Sequence, residues 1–306
     1  MRARPSRVRE PFTPSEADAP KGFNPVKIID SHHHLWDPEW LPYTWTRNRP
    51  AFNRSFRLSD YLQAVEHMEL EQSVHVEADV DEPFILQETR MILALAEQDN
   101  PIGGVVAGGR PEKEGFRAYL DQIAGHPKLK GVRRILHTEP DEVGQSPLFA
   151  RNVALLADYR LSFDLCVLSR QLPIAIRLVE RCPRVSFILD HFGYPLIRER
   201  VMDPWRNLIR TLAGFPNVVA CKISGVLANL DPEHWNPEDL RPYFDYLVEC
   251  FGWDRVMFGS DWPVCTLAAT FKGWVDAISF LTQARTESEC SRLFSDNARR
   301  VYKLGA

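Results

Sequence analysis

Long apolar runs are missing from this chain. No stretch approaches the ~18 consecutive apolar residues of a membrane-spanning helix. An excess of one charge is missing too. The formal net charge is −4, which gives no general pull toward nucleic acid or an anionic membrane. Closely spaced cysteine pairs are also lacking. The six cysteines, Cys166, Cys182, Cys221, Cys250, Cys265 and Cys290, form no CxxC-type motif. That argues against a zinc ribbon and a disulfide scaffold. Cys166 and Cys221 sit inside apolar, strand-like runs, so buried free thiols in a reducing cytoplasm are expected. Residues 1–25 are rich in Arg, Pro, Glu and Ala and contain no apolar signal core. Glu10, Glu16 and Asp18 count against a transit peptide. We therefore expect an N-terminal extension over 1–25, lying on the surface. The partner left by these exclusions is a small molecule, with no nucleic acid and no membrane; a homo-oligomer stays open.

What is present points to one α/β domain over residues 26–306. Hydrophobic residues make up 44% of the chain, enough for a large core. Eight β-rich runs recur at 26–32, 72–78, 102–108, 131–136, 161–167, 185–190, 218–224 and 255–260. Their starts are 24 to 46 residues apart, room for a loop and a helix each time. Runs such as VSFILD and VVACKIS are apolar on both parities, as strands covered on both faces are. The intervals 58–70, 84–98, 112–124, 171–181, 204–213, 237–251 and 270–283 read as helices, with Ser59 as an N-cap for the first. Strand and helix alternating eight times predicts a single, distorted (β/α)8 TIM barrel with a short N-terminal arm.

Chemistry-bearing residues cluster where these strands end. Asp30-Ser31-His32-His33-His34 closes the first strand, and alternation turns His32 and His34 one way and His33 the other. Two such imidazoles can chelate one divalent ion. His191 follows the sixth strand, as a further ligand or as a hydrogen-bond donor to a carbonyl. Asp261 follows the eighth, where a carboxylate can hold a metal weakly and take a proton from water. Taken singly, each has a plainer explanation: a surface cluster, a structural histidine, a turn residue. Together they converge on one barrel mouth. Glu77 ends the second strand and can meet a substrate hydroxyl, complete a metal site or pair with an arginine. The loop 35–56 is long and carries Trp36, Trp40, Trp45, Arg47, Arg49 and Arg54. It is either substrate-facing or a flap packed by its own aromatics.

The segments DSHHHLW (30–36), GVRRIL (131–136), FDLCVLSRQLP (163–173), LDHFGYP (189–195), CKISG (221–225), MFGSDWPVC (257–265) and DNARRVY (296–302) resemble the amidohydrolase superfamily. More closely, they resemble its amidohydrolase 2 branch of sugar-lactone and 2-pyrone-4,6-dicarboxylate lactone hydrolases. That resemblance implies a barrel in which an activated water opens a lactone in the cytoplasm. It also implies roles. Asp261 and His191 are catalytic. His32, His34, His191 and Asp261 hold one divalent metal, zinc first and manganese as the alternative, which some members of the branch dispense with. Arg133, Trp36, Lys222 and Glu77 are candidate substrate contacts, and Lys222 equally suits a structural ion pair. One departure stands out. Where binuclear relatives carry a bridging carboxylated Lys or Glu on strand four, this chain has Arg133 and Arg134, whose charge repels a second cation. Two rival readings share the same groups. One is a metal-dependent decarboxylase of an aromatic or unsaturated acid, and the other is a binding protein on a retired barrel.

Overall fold

The structure is a computed structural model and describes residues 27–305. The proposed extension over 1–25 lies outside the described residues. Eight parallel strands pair in sequential order: β1 (Ile28–His33), β2 (Leu70–Val76), β3 (Ile102–Gly108), β4 (Leu129–Ile135), β5 (Ser162–Cys166), β6 (Phe187–Leu189), β7 (Val218–Ile223) and β8 (Val256–Phe258). This is the expected (β/α)8 architecture. Between β8 and β1 the ladder gives way to a short seam. Asp261 N–H donates to the His32 carbonyl at 2.7 Å and His34 N–H to the Trp262 carbonyl at 2.7 Å. Side chains join it: Ser260 N–H and Oγ reach Asp30 at 2.8 and 2.6 Å, and Ser31 Oγ reaches the Phe258 carbonyl at 2.6 Å.

The helical layer follows the sequence only in part. Helix α1 (Leu58–Ala64) is half the expected length: residues 65–69 form a turn that leads into β2 at Leu70. Its N-cap is Arg57 rather than Ser59, and Asp60 accepts the Arg57 N–H at 2.7 Å. Helices α2 (Ile85–Ala96) and α3 (Phe116–Asp121) fall within the expected intervals. The β4–β5 interval, for which the sequence named no helix, holds α4 (Asp141–Gln145) and α5 (Pro147–Leu155). Helices α6 (Leu172–Arg181), α7 (Trp205–Ala213), α8 (Pro237–Phe251) and α9 (Phe271–Thr282) occupy the remaining expected places. Pro173 sits in the first turn of α6 and Pro237 opens α8, where a missing N–H costs nothing. Two further short helices, α10 (Glu287–Ser291) and α11 (Asn297–Val301), follow.

The core has two parts. One lies between the strands and the helices and includes Phe149, Phe163, Phe187, Trp205 and Trp274. The other fills the barrel interior with Ile29, Val74, Val76, Val106, Ile188, Ala220 and Met257, joined by Tyr302 and Leu304 just after α11. Above this apolar plug the interior turns polar. All six cysteines are free, five of them buried. No helix among the described residues is long and apolar enough to cross a membrane.

Candidate functional site

The site begins with an irregularity in β1. Asp30 pairs with Ser73 and His33 with His75, so three steps on β1 match two on β2. This bulge shifts the facing parity: Ile29 points into the barrel, and so do His32 and His34. His33 faces outward and stacks on Tyr61 with ring centroids 4.2 Å apart. Beneath the turn, Asp30 accepts from Ser260, Tyr61 and the His32 N–H. Burial pushes its carboxyl up to about 6, although those hydrogen bonds pull the other way.

Four expected residues come together. His32 Nε2 and His34 Nε2 are 3.2 Å apart, and Asp261 Oδ1 lies 3.1 Å from His34 Nε2, 3.7 Å from His32 Nε2 and 4.0 Å from His191 Nε2. Two of the four sit on strained backbone: His191 has φ 56° and Asp261 has φ 56°, in the left-handed region. The turn after β6 keeps this hand through Phe192, Gly193 and Tyr194. Opposite it, Gly225 has φ +73°, and a Cβ there would lie 2.1 Å from His191 Nδ1. Only glycine lets the β7 turn pass the imidazole. His191 Nδ1 in turn meets Ser224 Oγ at 2.9 Å. Burial lowers the pKa of His191 and holds that of His32 well below the ordinary range, so both rings are neutral imidazoles.

The donor set suits one divalent ion. His34 Nδ1 faces the carbonyl oxygens of Val76 and Glu77 at 2.8 and 3.0 Å. Carbonyls only accept, so Nδ1 carries the proton and Nε2 offers a lone pair. That lone pair meets a carboxylate oxygen at 3.1 Å. Two acceptors at this distance need a proton or a cation between them. Ligand atoms of His32, His191 and Asp261 lie within 4.8 Å of one another. A second group, Cys166, Asp190 and His191, also brings its ligand atoms within 4.8 Å of one another. Arg133 Nη1 is 3.2 Å from His32 Nε2, and Lys222 Nζ is 3.1 Å from His32 Nδ1, so two fixed cations flank one ring.

The remaining expected residues divide. Glu77 binds Arg133: Nε meets its carboxylate at 2.7 Å and Nη2 its own carbonyl at 2.7 Å. Arg133 also lines the cavity above. Arg134 points the other way, to Glu112 and Glu139. Trp36 lines the cavity too, but its ring is wedged among Trp45, Phe52 and Phe56 and its Nε1 donates to the Phe52 carbonyl at 3.1 Å. Lys222 takes the ion-pair alternative. It is fully buried, does not line the cavity, and holds Asp164 at 2.6 Å and Asp190 at 3.0 Å beneath the histidines. Burial alone would lower its pKa; the two carboxylates raise it instead. For Asp190 the balance is reversed: burial raises it, and Lys222 with His32 brings it well below the usual range. Tyr302 donates to Asp164 at 3.0 Å from below.

Several residues of the site escape a reading of the sequence. Asp190 is one, although it stands within LDHFGYP. Asp164, the partner of Lys222, is another: like Lys222 it is a charge in an otherwise apolar strand on the inward parity, which is the signal of a buried pair. The cavity above the histidines measures about 610 Å³ and includes His137, Cys166, Tyr194, Arg49 and Asn229 in its wall. His137 follows Arg133 and Ile135 at intervals of two, and strand alternation extended past β4 points to it.

Comparison with known proteins finds similarity along nearly the whole described chain. An L-fucono-1,5-lactonase of Burkholderia multivorans is 32% identical over 90% of this chain and 96% of its own. An uncharacterized protein of Sinorhizobium fredii is 30% identical over 91% of this chain and 99% of its own. A crystal structure of a Burkholderia multivorans amidohydrolase with bound zinc superposes with a TM-score of 0.82. The two are 29% identical over 92% of this chain and all of the other. A family model described as amidohydrolase matches residues 29–304, nearly the whole described chain, and this chain belongs to that family.

Proposed function

We propose that this chain hydrolyses a small lactone, with a sugar lactone as the favoured class. The observation that carries the reading is Asp261, a carboxylate at the cavity wall ringed by three imidazoles at 3.1, 3.7 and 4.0 Å. Similarity to the Burkholderia multivorans lactonase along nearly the full length supports the substrate class.

Asp261 takes a proton from a water in the cavity. The water oxygen attacks the lactone carbonyl carbon. Arg133, which reaches the cavity from its ion pair with Glu77, donates to the oxyanion that forms, joined by His191 when that ring holds no ion. The bond from the carbonyl carbon to the ring oxygen then breaks, and the protonated Asp261 returns its proton to the departing alkoxide. The product is an open-chain hydroxy acid. His32, His34, His191 and Asp261 would hold one divalent ion, zinc or manganese. When bound, such an ion polarises the carbonyl and makes a neighbouring water more acidic.

A pH-indicator screen of sugar lactones, aromatic lactones and dicarboxylate lactones, with and without added zinc or manganese, tests this. Acid release with at least one lactone is expected. Carbon dioxide release from aromatic acids without any lactone opening would replace the reading with decarboxylation.

A further inference from the structure

The cavity wall holds a second pair of side chains that the mechanism above does not use. Cys166 ends β5, and His137 stands two residues past β4. Cys166 Sγ lies 3.3 Å from His137 Nδ1. Burial pushes the thiol well above its ordinary range. Burial, reinforced by Arg133 and His191, takes the imidazole down to about 4. At neutral pH the pair is thus a thiol and a neutral imidazole, not a thiolate and an imidazolium. It is no nucleophile–base couple.

A neutral pair has one sensible polarity. Imidazole nitrogen is the stronger acceptor and sulfur the weaker, so the S–H donates to Nδ1. The ring proton must then sit on Nε2. Nε2 has no hydrogen-bond partner among the described residues, and the ring is part of the cavity wall that also includes Arg133, His191 and Asp261. An N–H donor therefore faces the space where substrate sits. Arg133, His191 and Asp261 already serve the reacting carbonyl, which leaves His137 for an oxygen elsewhere on the ring.

We propose that His137 reads a ring hydroxyl of the substrate through its Nε2–H, and that the Cys166 thiol is a positioning residue that locks this tautomer. The substrate part of the inference rests on the lactone-hydrolase reading; the tautomer part does not.

Two measurements test it. The first is a two-bond 1H–15N spectrum of the full chain labelled with 15N-histidine, with the His137 signals assigned by their loss in His137→Phe. The expected pattern is protonated Nε2 and bare Nδ1 in the native chain and in Cys166→Ser, and a mixture of tautomers in Cys166→Ala. A protonated Nδ1 in the native chain overturns the lock, as does an Ala variant identical to the native chain. The second is steady-state kinetics of His137→Phe on the hydroxylated lactone found by the screen and on an unsubstituted lactone of the same ring size. One hydrogen bond of about 0.5–1.5 kcal/mol corresponds to a roughly 2- to 13-fold loss of kcat/KM. That loss is expected mainly in KM and only for the hydroxylated substrate. No loss, or an equal loss on both lactones, overturns the hydroxyl contact. If no lactone is opened by the native chain, the functional reading fails while the spectrum still decides the Cys166–His137 pair.

Discussion

Replacing Lys222 with Met probes the charged layer beneath the histidines without touching the cavity. The ammonium lies 2.6 Å from Asp164, 3.0 Å from Asp190 and 3.1 Å from His32, with no exposed surface. Methionine fills nearly the same volume, so the change removes charge and leaves little void. Two buried carboxylates lose their shared partner. Each keeps a weaker one: Asp164 retains the Tyr302 hydroxyl at 3.0 Å and Asp190 retains Arg133 at 3.4 Å. Breaking a buried ion pair from one side costs about 3–5 kcal/mol. In a chain of this size that is a fall in Tm of roughly 5–8 °C.

The deficit depends on pH. Burial raises the Asp164 pKa in the native state even with Lys222 opposing it, and removing Lys222 raises it further. A group whose folded pKa lies above its unfolded value stabilises the fold below the unfolded pKa. That contribution is lost as pH rises through the folded value. The Met variant should therefore lie closer to the parent chain at pH 5 than at pH 8. Urea unfolding at both values, followed by circular dichroism, is the assay. A deficit under about 1 kcal/mol at pH 8 would refute the buried-pair argument, and so would a deficit that grows on acidification.

Asp261→Asn should keep substrate binding and lower single-turnover hydrolysis by roughly 100- to 10,000-fold, since the amide takes no proton from water; near-native turnover would remove Asp261 from the chemistry. Glu88 is buried, accepts from Tyr43 and the Ala78 N–H, and has its carboxyl pushed up to about 8 by burial and by Glu77. Its raised pKa costs stability as pH climbs from about 5 toward 8, so Glu88→Gln should unfold at higher urea than the parent at pH 8.5 and show little gain at pH 5. A gain that is larger at pH 5 contradicts that sign. Elemental analysis after mild purification should give no more than one zinc or manganese per chain, because Arg133 and Lys222 flank His32; two ions per chain would be incompatible with that field.

The eight strands were legible because parallel strands are apolar on both faces, and runs such as VSFILD advertise it. The barrel mouth was legible through His32, His34, His191 and Asp261, which all stand at strand ends. Other features lie outside what periodicity carries. Alternation from Ile29 gives the wrong inward parity for His32, because the bulge in β1 resets it. Helix α4 is short and polar, with Gly144 inside it, and α5 has only nine residues, too few for a clear helical period. For Lys222 the sequence left substrate contact and a structural ion pair equally open; depth along the strand, which decides between cavity and plug, is a tertiary quantity. Tyr302 and Leu304 enter the interior from a segment with no strand pattern at all.

The seam between β8 and β1 gives the site a mechanical character. His32 and His34 belong to one end of the rolled sheet and Asp261 to the other. The backbone bonds joining the two ends here are those from Asp261 to His32 and from His34 to Trp262. The proton acceptor and its histidines therefore meet at a clasp. Any fluctuation that unbuttons this joint separates the reacting groups before it disturbs the rest of the barrel. A molecule gripped from both sides acts as a pin through the clasp and stabilises the closed state by mass action. Amide hydrogen exchange at His34 and Asp261 thus becomes a gauge of occupancy, slowing as the site fills.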